Sequence, residues 1–176
     1  MFRVLAIDPG RDSGWAFWEG QKLVACGLGR ATSQRAAPDL ILVEVPCVYP
    51  DRKTPPADLV VLAMNAGRHV ERMRTIEQIR DPGAIPPPAF GVFPRTWKGT
   101  IDGDVMVRRI QGAIGVANHC TAVEAMASVP GGKRHNVWDA VGLGHWAVNV
   151  VETGAKLGKD PLTSVRHMVD YTFPDL

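Results

Sequence analysis

The chain has 176 residues, 45% of them hydrophobic and 22% charged, with a formal net charge of +2 at pH 7. This length predicts one domain with a substantial core, and the composition is that of an ordinary soluble protein without repeats or low-complexity tracts. The slight positive charge permits nucleic-acid binding without requiring it. The three scattered cysteines indicate neither a zinc site nor a disulfide framework, so we expect a reduced, cytoplasmic protein. The sequence has no membrane-spanning run and no signal-peptide pattern, so we expect no membrane partner.

The first predicted element is a buried strand over residues 4–8 that ends on Asp8, just before Pro9 and Gly10. An ionised carboxylate at a buried position is unfavourable by several kcal/mol unless a counter-charge compensates it, and a metal ion is a common compensation. Asp8 also suits a simple turn, because Asp favours the positions that flank Pro and Gly. Taken alone, the strand leaves both interpretations open.

A hairpin follows over residues 14–19 and 21–28, and a short polar crossover at 30–38 leads to a strand at 40–45. This strand carries Glu44 near its end. If the strands that carry Asp8 and Glu44 are parallel neighbours, both carboxylates meet outside the carboxyl ends of the strands. Ligands bind there in open α/β sheets.

The strongest helical pattern runs from residue 58 to about 79, where apolar side chains recur every three or four residues. A short strand at 89–93 and a helix at 104–118 follow. Residues 154–176 form either a C-terminal arm or an extension of the domain at 1–153, with a possible helix at 161–170. These elements predict an α/β fold with a mixed five-stranded sheet flanked by helices.

A third acid, Asp139, lies in the first turn of an apolar helix that runs to about residue 153. Asn136 as N-cap with an acid three residues later approximates a capping box, which would explain Asp139 without any function. Each of the three acids has such a structural explanation. Together, however, they predict a metal site.

These residues resemble the RuvC-type Holliday-junction resolvases, which have the ribonuclease H-like fold. The resemblance lies in Ala6-Ile7-Asp8-Pro9-Gly10 with Gly14-Trp15-Ala16, in the strand that ends on Glu44, and in Trp138-Asp139-Ala140-Val141-Gly142-Leu143. The order of elements matches over most of residues 1–150. The crossover at 30–38 is too short for the full helix that the family usually has there, and such a compact chain would suit a phage-type member.

The resemblance implies that Asp8, Glu44 and Asp139 bind two divalent ions, one activating water and the other stabilising the leaving oxygen. Magnesium suits such an all-oxygen ligand set, and manganese is the alternative. The family has a His or Asp three positions before the last acid. This chain has Asn136 there, and the neighbouring His135 is the other candidate for the fourth role. Lys98 corresponds to a family lysine near the scissile phosphate.

The resemblance also suggests DNA contacts. Arg108 or Arg109 is the nearest counterpart of a second family lysine, although a solvated helix face explains both arginines nearly as well. Cys47 replaces the aromatic wedge of the family, which leaves Tyr49 as the nearby candidate, and a surface tyrosine explains it more simply. We expect further phosphate contacts from basic residues on loops near the acids: Arg11, Arg52, Lys53, Arg95, Lys98, Lys133 and Arg134.

The resulting hypothesis is a metal-dependent endodeoxyribonuclease that resolves four-way DNA junctions with two symmetric nicks. Two symmetric nicks need two active sites, so we expect a homodimer that forms through helix 58–79, as the family implies. Two alternatives stay open. One is a non-catalytic module that binds branched nucleic acid, which Asn136 favours, and the other is a nuclease for flaps and forks.

Overall fold

The computed structural model describes residues 1–31, 37–46 and 55–173. The strands are β1 (Arg3–Asp8), β2 (Gly14–Glu19), β3 (Lys22–Leu28), β4 (Leu40–Glu44), β5 (Ala89–Val92) and β6 (Tyr171–Thr172). The α-helices are α1 (Pro56–Arg80), α2 (Pro94–Trp97), α3 (Gly103–Ala113), α4 (Gly115–Ala125), α5 (Arg134–Lys156) and α6 (Pro161–Arg166). A single 3₁₀ turn (Gly131–Lys133) precedes α5.

The strands form one mixed sheet in the order β3-β2-β1-β4-β5-β6. β1, β4 and β5 are parallel, whereas β2, β3 and β6 run antiparallel to their neighbours. The predicted mixed α/β architecture is therefore confirmed, but the sheet has six strands instead of five. The sixth strand has two residues and pairs Gly91 with Tyr171. A strand this short carries no alternating pattern, so the sequence does not indicate it.

Helices cover both faces of the sheet, because successive side chains of a buried strand point to opposite faces. On β1, Val4 and Ala6 belong to the core cluster that contains residues of α5, whereas Leu5 and Ile7 belong to the cluster that contains residues of α1. α5 lies close to the sheet because it carries glycine where it crosses β2. A Cβ at Gly144 would overlap the indole of Trp18.

The predictions for the helix at 104–118 and for the start of α5 need correction. The helix expected at 104–118 is two helices, α3 and α4, because the chain turns at Gly115 with φ +77°, a conformation that favours glycine. α5 begins at Arg134, so Asp139 lies in its second turn instead of its first. Asn136 is consequently inside the helix and is not its N-cap, and its side chain bonds elsewhere.

The segment after α5 packs on the domain. Val165 of α6 is fully buried in the core cluster that contains residues of α5, and the backbone N–H of Asp170 donates to the carbonyl of Gly91 on β5 at 3.0 Å. The helix expected at 161–170 is shorter and ends at Arg166. In the part of the chain that the structure describes, no helix has the length and apolar character needed to cross a membrane.

Candidate functional site

Asp8 and Glu44 are neighbours because β1 and β4 run parallel and end together. Their register pairs Ile7 with Val43, so the residue that follows each, Asp8 and Glu44, lies at the same edge of the sheet. Residues 4–7 of β1 and 40–43 of β4 are buried hydrophobic runs. The sheet therefore brings together two of the three predicted acids at its carboxyl edge, as the sequence predicted.

α5 brings the third acid to the same edge, and the turn after β1 fixes its approach. Gly14 lies directly against the backbone of Asn136, where a Cβ would overlap the carbonyl. The Asn136 amide donates to the carbonyl of Asp12 at 2.7 Å, and the Lys133 ammonium lies 2.8 Å from the Asp12 carboxylate. These contacts join the β1–β2 turn to the start of α5, one turn before Asp139. We call Asp8, Glu44 and Asp139 the acid cluster.

Lys98 lies between two members of the acid cluster. Its ammonium is 2.9 Å from Asp139 Oδ2 and 3.1 Å from Glu44 Oε2. The indole N–H of Trp97 donates to the same Glu44 oxygen at 2.8 Å. The indole fits against α5 because residue 142 is glycine, since a Cβ there would lie 2.8 Å from the ring. Trp97 and Lys98 together fix the position of the Glu44 carboxylate.

The short helix α2 that carries Trp97 is capped from the far end of the chain. The carboxylate of Asp170, just before β6, accepts from the backbone N–H of Phe93 at 2.8 Å and from the Thr96 hydroxyl at 2.7 Å. Such a cap satisfies N–H groups that a helix start leaves unbonded. The segment around β6 therefore contributes to the position of Trp97 and Lys98.

The acid cluster holds more negative charge than Lys98 balances. Burial raises the pKa of Asp8 well above its usual range, and the neighbouring charges of Glu44 and Asp139 raise it further. Burial also raises the pKa of Glu44, with the charge of Lys98 opposing and that of Asp139 adding to the rise. For Lys98, burial lowers the pKa, but the Glu44 and Asp139 carboxylates outweigh it and the pKa is raised overall.

The donor types fit a hard divalent cation, since all three members supply carboxylate oxygens. The raised pKa of Asp8 marks an excess of negative charge that a cation would relieve. Among the described residues, however, no three His, Cys, Asp or Glu side chains converge into a ready metal site. Lys98 already lies between Glu44 and Asp139. The carboxylate oxygens of the acid cluster therefore suit magnesium, while the Lys98 ammonium occupies the space between Glu44 and Asp139.

The two candidates for the fourth role lie in different surroundings. Asn136 is half-buried and contacts the β1–β2 turn, where a Cβ on Gly10 would lie 3.8 Å from its amide nitrogen. His135 is exposed. Among the described residues, neither side chain forms a hydrogen bond or ion pair with the acid cluster. The structure gives Asn136 a supporting contact that a sequence motif cannot reveal.

The predicted DNA-binding residues fall into three groups. Arg11, Arg95, Arg108, Arg109 and Arg134 are exposed. The Lys133 ammonium forms an ion pair with Asp12. The remaining candidates, Tyr49, Arg52 and Lys53, lie outside the described residues.

Sequence reasoning missed two residues of the site, Trp97 and Asp170. Trp97 stands next to Lys98, a predicted site residue, and that position in the sequence is a usable signal. Asp170 gives no signal in the sequence, because its contact depends on how β6 pairs with β5. Long-range contacts of this kind follow from topology and not from local pattern.

No family model matches the chain, and no curated protein matches it. Among solved structures, the chain is similar to the structure of RuvC from Thermus thermophilus, with a TM-score of 0.50 and 14% sequence identity. The match covers 98% of this chain and 100% of that one. This similarity confirms the fold predicted from the sequence: the chain has a RuvC-like, ribonuclease H-like fold.

Proposed function

We propose that the chain is a metal-dependent, structure-selective endodeoxyribonuclease that resolves four-way DNA junctions. One observation carries the proposal. The carboxylates of Asp8, Glu44 and Asp139 share the carboxyl edge of the sheet, and a single Lys98 opposes them. A stable fold has no need for this excess of buried acid, whereas a site that recruits divalent cations depends on it.

Each residue of the site then has a role in catalysis or in positioning. Asp8, Glu44 and Asp139 hold Mg²⁺, or Mn²⁺ in its place, and bound metal would supply an activated water and neutralise the leaving oxygen. Trp97 orients Glu44 through its 2.8 Å hydrogen bond. Asn136 maintains the turn that leads away from Asp8. Lys98 is placed to meet a phosphate of the bound strand.

The exposed arginines around the site supply the electrostatic part of DNA binding. Arg11 lies three residues after the end of β1, Arg134 begins α5, and Arg95 belongs to α2, so each is close in sequence to a residue of the site. Contacts to phosphates release counter-ions, so affinity should fall steeply as salt increases. The double variant Arg95→Gln and Arg134→Gln should reduce the salt slope by about two, one for each lost contact.

We further propose a homodimer that forms through α1. The second half of this helix packs on the sheet through Val70 and Met73, but its first half carries exposed apolar side chains. Val60, Val61 and Met64 are 58%, 54% and 52% exposed. Exposed apolar groups in adjacent helical turns suit a self-complementary interface. Val61→Glu should give a monomer in sedimentation velocity, while Val116→Glu, at an exposed valine of α4, should leave the dimer intact.

The decisive experiment compares cleavage of a synthetic four-way junction with that of a linear duplex of the same sequence, both in Mg²⁺. The wild type should cut the junction with paired symmetric nicks and leave the duplex intact. Asp8→Asn should bind the junction without cutting it. Unpaired cutting of forks or flaps would retain the nuclease and refute the resolvase.

A second function has one observation in its favour. Asn136 is neutral, cannot serve as a base, and is bonded to the Asp12 carbonyl. A module that binds branched DNA without cleaving it tolerates such a residue. Tight junction binding by the wild type with no nick in either Mg²⁺ or Mn²⁺ would establish this function and refute the nuclease.

A further inference from the structure

Lys98 bridges two members of the acid cluster. Its ammonium approaches Asp139 at 2.9 Å and Glu44 at 3.1 Å. The three side chains keep between 14% and 18% of their surface exposed, so the cluster is accessible from solvent. A divalent cation bound to both Glu44 and Asp139 would lie within a few ångströms of the Lys98 ammonium, which contacts an oxygen of each.

We propose that Lys98 is a built-in counter-ion that competes with the metal, so that divalent-cation binding displaces its ammonium from between Glu44 and Asp139. The ammonium and the cation cannot both lie between these two carboxylates, because like charges at a few ångströms repel strongly in a partly buried site. Lys98 thereby preserves the arrangement of the acids before metal arrives and lowers the affinity for metal. This inference rests on the metal site of the proposed function.

Only the side chain of Lys98 needs to move. α2 is capped by Asp170 and joined to Glu44 through Trp97, which keeps the backbone at residue 98 in place. The flexible four-carbon stem of lysine can carry its charge to a new position. A displaced ammonium remains at the mouth of the cluster, where an incoming phosphate would meet it. When the divalent cation replaces the ammonium between Glu44 and Asp139, Lys98 is therefore placed to bind a phosphate of DNA.

The first test is calorimetric titration of the DNA-free protein with Mn²⁺ and with Mg²⁺. Lys98→Met removes the charge and keeps most of the side-chain length. It should bind metal at least about tenfold more tightly than the wild type. Lys156→Met is the matched control, because its ammonium pairs with Glu152 on the exposed end of α5. Its metal affinity should equal that of the wild type.

The second test uses the wild type and so does not depend on the folding of the variant. Lysines are labelled briefly with acetic anhydride, in EDTA and in saturating Mg²⁺, and quantified by mass spectrometry. Lys98 should be protected in EDTA and at least about threefold more reactive in Mg²⁺, because an ammonium released from between the two carboxylates is open to the reagent. Lys156 should react equally in both conditions.

The outcomes separate this inference from the proposed function. Equal metal affinity of Lys98→Met and wild type, with Lys98 equally protected in both conditions, would overturn the inference even if junctions are cut. Tighter metal binding by Lys98→Met together with metal-induced exposure of Lys98 would support it even if no DNA is cut. The absence of metal binding in both proteins would overturn it.

Discussion

Charged residues lie at or next to both ends of β1 and β4, and the two ends differ in how their charges are balanced. At the amino ends, the Arg3 guanidinium binds the Asp39 carboxylate through Nη2 to Oδ1 at 2.7 Å and Nε to Oδ2 at 3.2 Å. The Arg3 backbone N–H adds a third bond at 2.8 Å. At the carboxyl ends of the same strands, the acid cluster has one Lys98 for three acids. The first end is a matched pair, and the second has an excess of acid.

The pKa values move in opposite directions at the two ends. Burial raises the pKa of Asp39, but the hydrogen bonds and charge of Arg3 outweigh it, so the pKa is lowered overall. At the acid cluster, burial and neighbouring carboxylates raise the pKa of Asp8 and outweigh Lys98. The comparison teaches that a matched pair stabilises the fold, whereas the acid cluster opposes folding until a cation joins it.

The largest expected effect is on cleavage. Asp8→Asn should lower the rate of junction cleavage by about a thousandfold or more, because it removes one charged ligand of the metal. Asp39→Asn makes the same chemical change at the other end of the strands and should keep the rate within about threefold of the wild type. Single-turnover cleavage measures both. Equal losses of cleavage rate in the two variants would show that the two ends of the strands do not differ in function.

The same two variants should shift stability in opposite directions. In EDTA at pH 7, Asp8→Asn should stabilise the protein by about 1 kcal/mol or more, because it removes a buried charge among like charges. Asp39→Asn should destabilise it by about 1 kcal/mol, a modest value since the ion pair is about one-third exposed. Urea unfolding provides the free energies. A loss of stability in Asp8→Asn would contradict the excess of charge at the acid cluster.

The stability effects of Asp8→Asn and Asp39→Asn should also depend on pH in opposite ways. The folded pKa of Asp8 is raised, so its stability contribution is full below about pH 4 and is lost as the pH rises through the folded value. The gain of Asp8→Asn over the wild type should therefore grow from pH 4 towards 7. The folded pKa of Asp39 is lowered, so its contribution is present above about pH 4 and is lost as the pH falls. Urea unfolding in EDTA at several pH values measures both trends.

The smallest expected effect concerns the cap that positions Lys98. Asp170→Ala removes the carboxylate that binds the Phe93 N–H at the start of α2 and the Thr96 hydroxyl, so it should cost about 1 kcal/mol of stability. Cleavage should fall about fivefold as Trp97 and Lys98 loosen. Asp160 is the N-cap residue of α6, and its carboxylate accepts from the Thr163 N–H at 2.9 Å. Asp160→Ala should cost similar stability and leave cleavage unchanged. If both variants cleave alike, Asp170 has no positioning role.

Much of the fold could be predicted because it follows local rules. β1 and β4 are short apolar runs that end on an acid, and this pattern, with parallel pairing, predicted that Asp8 and Glu44 meet. The start of α5 was predicted wrongly, since the Asn136 side chain bonds to Asp12 instead of capping the helix. β6 could not be predicted, because a strand of two residues has no hydrophobic periodicity. The contacts of Asp170 could not be predicted either, because they depend on the completed sheet. That Asp8, Glu44 and Asp139 bind metal stays a prediction.

The position of Lys98 along the chain has a consequence for synthesis at the ribosome. The chain is made from its amino end, so Asp8 and Glu44 emerge before Lys98, and Asp139 emerges after it. Lys98 is thus synthesised before Asp139, so that α5 can pack on the sheet when the Lys98 ammonium is already beside Glu44. The order of translation therefore supplies the positive charge of Lys98 before Asp139 adds its negative charge to those of Asp8 and Glu44.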